Sequence, residues 1–219
     1  MATRGVLAQL LADWEVQSGG PVTMESIGGV DAARRVQSGE AMDFVVLASD
    51  AIDKLAAGGS VVGASRVDLV NSGVAVAVRK GQARPDITSG QCVREAVLAA
   101  SSIGYSTGPS GTALLKLFDR WGIAADLAPR LVQAPAGVPV GELLARGEVA
   151  LGFQQLSELM HLEGIDVVGP LPPSIQITTT FSAGVCTAST RADEVRALFD
   201  FLASPQSAAA KKRNGMDPA

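Results

Sequence analysis

A chain of 219 residues with 47% hydrophobic and 18% charged residues, 24 glycines and a formal net charge of −4 is long enough for one large domain or two small lobes. Its acidic balance and lack of a Lys/Arg-rich run exclude nucleic acid as a partner, because phosphate binding needs clustered cations. Its longest apolar stretches, such as 44–48 and 74–78, fall far short of the roughly 20 residues a bilayer span requires, so no membrane insertion is expected.

The opening residues predict a helix over 5–17, starting at Thr3 and Arg4. A β-branched run over 22–26 reads as a strand, and Gly28-Gly29 leads into a helix over 31–38. Then follow a strand over 44–47, a helix over 51–57, a strand over 73–78, a helix over 93–100 and a strand over 102–105. Ser106-Thr107-Gly108-Pro109-Ser110-Gly111-Thr112 opens the next helix, over 111–121. After Pro139 come a helix over 140–146, a strand over 150–153, a helix over 155–162, strands over 167–169 and 175–186, and helices over 192–202 and 205–213. Strands alternating with helices predict an α/β protein.

A single histidine, His161, excludes multi-histidine metal sites, and Cys92 and Cys186 lack the spacing of a zinc or dithiol motif. They read as buried, reduced thiols, and no metal or cofactor is expected. No positively charged, apolar leader opens the chain, so as it stands it reads as cytoplasmic, and as periplasmic if a leader has been removed.

The sequence also repeats itself. Gly29-Val30, Ser38-Gly39-Glu40 and Ser49-Asp50 return as Gly137-Val138, Arg146-Gly147-Glu148 and Ser157-Glu158 at a constant offset of 108 residues. Any two α/β units share such features by coincidence; two lobes of like topology share them by construction. In that register the strand over 102–105 has a first-lobe counterpart that would precede Met1, so Met1 is either internal to a longer reading frame or the first lobe lacks a strand.

The stretch Gly28-Gly29-Val30-Asp31-Ala32-Ala33-Arg34, with Gly39 to Asp50, resembles the molybdate-binding proteins of ABC importers, and the resemblance runs on through 69–80, 104–114, 134–153 and 199–216. It implies a two-lobed type II periplasmic-binding-protein fold with the ligand cleft between the lobes. Lobe 1 would be 1–78 plus 179–219 and lobe 2 would be 79–178. It implies a small anionic ligand and an ABC transporter membrane component as partners, and no nucleic acid.

Four helix starts would face the cleft, at 3–5, 28–31, 110–112 and 137–140, each with unpaired N–H groups suited to an anion. The ligand residues expected from this frame are Thr3, Arg4, Gly28, Gly29, Thr107, Ser110, Gly111, Thr112, Pro139, Gln154 and Gln155. Each has a structural alternative: Ser110 and Thr112 as helix caps, Gly28-Gly29 as a turn, Arg4 as a solvated arginine, Gln154-Gln155 as a helix-start surface. Molybdate binders present serine hydroxyls at the first two helix starts and a tyrosine where Gln155 stands. Arg4, whose fork suits a carboxylate, and the glutamine amides therefore fit an organic carboxylate at least as well as an oxyanion. Two function classes stay open: an anion-binding receptor, and an isomerase resembling aconitate isomerase, which moves a proton along a small tricarboxylate.

Overall fold

The computed structural model describes residues 1–18 and 20–219, and they form two units, Met1–Ser72 with Thr179–Ala219 and Gly73–Thr178. The chain passes between them twice, at Ser72/Gly73 and Thr178/Thr179.

The first unit holds helices α1 (Arg4–Ser18), α2 (Gly29–Gln37) and α3 (Ser49–Ala57), strand β1 (Phe44–Ala48) and the first half of β2 (Val67–Arg79). After the second unit the chain returns with β7 (Thr178–Val185), α9 (Ala192–Ala203), α10 (Ala208–Arg213) and β8 (Asp217–Pro218). β1 pairs antiparallel with β7, and β8 with β2. Period-two alternation loads both faces of this sheet. Phe44 and Val46 pack with Val6, Leu10, Leu198 and Phe199 of α1 and α9, while Val45 and Leu47 pack with Val36, Ile52 and Leu55 of α2 and α3. A helix layer on each face satisfies a sheet that is apolar on both sides. Ser182 donates to Asp68 at 2.6 Å and Thr180 to Asn71 at 2.7 Å, while the Ser72 hydroxyl, fully buried on β2, has no partner among the described residues.

The second unit runs from the end of β2 through α4 (Gly90–Ala99), β3 (Ile103–Tyr105), α5 (Pro109–Arg120), α6 (Ala124–Leu127), β4 (Leu131–Gln133), α7 (Val140–Arg146), β5 (Leu151–Gln155), α8 (Leu156–Leu159) and β6 (Ile165–Pro170). β3 lies parallel to both β4 and β5, and β2 pairs antiparallel with β5 and β6. Val74, Val76 and Val78 face the core of α4 and α5, and Ala75 and Ala77 face α7. The small residues let α7 approach the sheet. Gly152 belongs to the same contact, since a Cβ there would lie 2.6 Å from Leu144.

Several expectations are corrected. The run over 22–26 forms no strand: Thr23, Met24 and Glu25 are exposed, and the Val22 N–H donates to Glu15 Oε1 at 2.8 Å. β-branched residues without a neighbouring strand edge have nothing to pair with. The helix over 155–162 shrinks to the four residues of α8, because β5 continues to Gln155 in register with Val74 and the chain turns after Leu159. β2 begins six residues before the predicted strand, at Val67. The short elements α6, β4 and β8 carry too little pattern to be read from sequence.

Candidate functional site

The parallel strands β4, β3 and β5 of the second unit end together, with Tyr105 opposite both Gln133 and Phe153. Each is followed by a helix, so the starts of α5, α7 and α8 share one edge. In α/β sheets the carboxyl edge of parallel strands is where ligands bind, because loops there vary freely while helix starts turn N–H groups outward.

The turn from β3 to α5 is tight. A Cβ on Gly111 would lie 1.8 Å from the carbonyl oxygen of Ser106, so only glycine fits. Pro109 opens α5 without an N–H to satisfy, and the Gly108 carbonyl accepts from both Gly111 N–H at 3.1 Å and Thr112 N–H at 3.2 Å. Ser110 is 5% exposed and its hydroxyl pairs with that of Ser106 at 3.1 Å. No side chain caps α5, while Thr107 and Thr112 are exposed. The positive end of a 12-residue helix is thus lined by hydroxyls and bears no carboxylate of its own in the first turn.

β5 divides its two glutamines between the faces of the sheet. Leu151 and Phe153 pack toward α5, with the Phe153 ring edge-on to Phe118, while Gly152 lies against α7. The alternation therefore sends Gln154 toward α7 and Gln155 toward α5. Gln154 is spoken for: its Oε1 accepts the Val140 N–H at 2.7 Å, capping α7 behind Pro139. Gln155 is equally buried, at 3% exposed, yet its Oε1 has no partner among the described residues. A buried amide left unpaired is costly and uncommon, and this one sits on the same edge and face as the α5 start.

Glu158, absent from the residues expected from sequence, lies three residues further on, half-buried. Burial holds its carboxyl above the usual carboxylate range. The only signal in the sequence was the spacing of a carboxylate one helical turn beyond Gln154-Gln155.

Thr107, Ser110, Gly111, Thr112, Pro139, Gln154 and Gln155 thus fall on one strand edge of the second unit. Thr3, Arg4, Gly28 and Gly29 belong to the first. There Thr3 is buried beside Val6, Leu10 and Lys211 around a small apolar cavity, and Arg4 is exposed at the start of α1. Gly28 caps α2, whose first turn already carries Asp31, a carboxylate that complements the positive helix end. Side chains would fit at both glycines, where a Cβ would meet its nearest neighbour at 3.6 Å.

His161 is exposed, Cys186 is buried with its thiol pushed up to about 11 by burial and by Asp43, and Cys92 is half-buried. Among the described residues no cluster of His, Cys, Asp and Glu could hold a metal, and no helix is long and apolar enough to cross a membrane.

A family model described as bacterial extracellular solute-binding protein matches residues 1–217. An aconitate isomerase from a Pseudomonas species is 40% identical over 185 residues, which cover 84% of this chain and 70% of that protein. The periplasmic molybdate-binding protein of Azotobacter vinelandii superposes with a TM-score of 0.81 at 19% identity, covering 98% of this chain and 95% of that one. The sulfate-binding protein of Mycobacterium tuberculosis H37Rv gives 0.78 at 15% identity, covering 98% and 83%.

Proposed function

Since this chain belongs to the bacterial extracellular solute-binding protein family and has the fold of type II periplasmic binding proteins, we propose that it binds a small organic anion at the carboxyl edge of β3, β4 and β5. The observation that carries this reading is the uncapped start of α5 together with the unpaired Oε1 of Gln155 on the same strand edge. A helix end contributes about 0.3–1 kcal/mol to anion binding when exposed. Micromolar affinity needs about 8 kcal/mol, so several charge-assisted hydrogen bonds of about 1.5–3 kcal/mol each must supply most of it. Ser110, Ser106 and Thr107 are the donors that this reading assigns to them.

A fully ionised tetrahedral oxyanion offers only acceptors, whereas Gln155 presents an acceptor as well as a donor. That favours a carboxylate bearing a hydroxyl or a retained proton. A ligand that binds the native state alone raises its stability by RT ln(1 + [L]/Kd). A thermal-shift panel is expected to show larger stabilisation by di- or tricarboxylates than by molybdate, tungstate or sulfate, and the double variant Ser110→Ala, Thr112→Ala is expected to weaken binding in titration calorimetry. Strong stabilisation by molybdate and none by carboxylates refutes the organic ligand, and unchanged affinity in the double variant refutes the site. An ABC importer's membrane component is the partner this receptor reading supplies.

The identity to an aconitate isomerase over 84% of the chain favours a second reading, an isomerase acting on aconitate or a similar unsaturated tricarboxylate. Incubation with cis- or trans-aconitate, followed by NMR, decides between a receptor that returns its ligand unchanged and an enzyme that interconverts the isomers.

A further inference from the structure

The buried side-chain polar atoms without a partner among the described residues are Ser72 Oγ on β2 and two that lie close in sequence, Gln155 Oε1 at the end of β5 and Ser157 Oγ in α8. Native chains rarely strand polar atoms in this way, so a cluster of them at a strand edge marks a place where a ligand completes the pairing. Glu158 ends the same stretch. Its counterpart in the internal repeat is Asp50, a side chain 66% exposed and 3.7 Å from Lys54. Glu158, by contrast, is half-buried.

We propose that Glu158 is the acid–base group of this site, moving one proton between two carbons of a bound unsaturated carboxylate while Gln155 and Ser157 hold the ligand. The inference rests on the isomerase reading. The Glu158 carboxylate removes a proton from the saturated carbon beside the double bond, and that C–H electron pair becomes the new double bond. The pair of the old double bond then takes the proton back from Glu158 at its far carbon. One C–H bond breaks and one forms, nothing is oxidised or reduced, and the carboxylate ends as it began. A carboxyl whose proton affinity is raised by burial is suited to returning that proton.

The test follows the same tricarboxylate in D2O by NMR, with binding measured by calorimetry. Glu158→Gln keeps the length of the side chain but cannot take up and return a proton. The wild-type chain is expected to isomerise the ligand and to exchange its carbon-bound hydrogen. Glu158→Gln is expected to bind within about 3-fold of wild type while losing about 10²–10⁴-fold in both rates. Glu158→Asp, which withdraws the carboxylate by one methylene, is expected to fold, to bind and to turn over more slowly. Wild-type rates in either folded variant overturn the assignment of Glu158 and leave the isomerase reading standing. Binding by the wild-type chain with neither exchange nor isomerisation overturns that reading itself.

Discussion

Replacing Gln154 by methionine separates a side chain that builds the site from one that reads the ligand. Gln154 is 3% exposed, and its Oε1 is the acceptor for the N–H of Val140, itself fully buried, at 2.7 Å. Methionine has nearly the same length and volume, so packing against α7 is kept while the acceptor is lost. The stranded N–H costs about 1–3 kcal/mol. For a chain of this size each kcal/mol lowers the melting temperature by about 2–4 °C, so Gln154→Met is expected to melt about 2–12 °C below wild type. Gln155→Met is expected to behave the opposite way. Its Oε1 has no protein partner to lose, so stability holds or rises slightly, while affinity for the carboxylate ligand falls by about tenfold, the worth of one hydrogen bond. Calorimetric melts of the free proteins and titrations with the ligand measure both quantities. A Gln154→Met variant that melts with wild type, beside a Gln155→Met variant that loses several degrees, refutes the division of roles between the two faces of β5.

Gly111→Ala forces the chain to move by at least about 1 Å, because the new Cβ would lie 1.8 Å from the Ser106 carbonyl oxygen; a loss of about 3 kcal/mol or more is expected in denaturant melts, with Gly108→Ala, whose Cβ meets nothing nearer than 3.8 Å, as the near-neutral comparison. Lys211→Met is expected to stabilise the protein, since Lys211 is 1% exposed in the core of the first unit without an ion pair among the described residues, and its stem packs as well without the amine. Burial alone holds the Lys211 amine below 10.5, so the unfolded chain binds more protons than the folded one between the lowered value and 10.5. Wild-type stability therefore gains on that of Lys211→Met as pH rises toward 10.5, and paired melts across neutral to alkaline pH that keep a constant gap refute this account.

The α/β class, most helices and the Ser/Thr/Gly turn before α5 were legible in the sequence because each is written in neighbouring residues: apolar spacing, a proline at the first helical position, glycine where a Cβ collides with the chain. Where pairing across the chain decides, local pattern misleads. The β-branched run over 22–26 lacks a strand edge and stays irregular, whereas Gln154 and Gln155, which read as a helix start, are held in β5 by pairing with β2.

The site follows the same division. Residue types suited to an anion were visible at 106–112 and 154–155, since hydroxyls, amides and glycines advertise their chemistry wherever they stand. Their roles were not. Two adjacent glutamines of identical chemistry became a helix cap and an unpaired amide because a strand turns successive side chains to opposite faces, and only one face carried an N–H in need of an acceptor. Asp50 and Glu158 occupy equivalent places in the repeat, yet one is solvated beside a lysine and the other is half-buried. Sequence determines which groups can ionise or donate; their surroundings, which come from residues distant in the chain, determine what it costs them to do so.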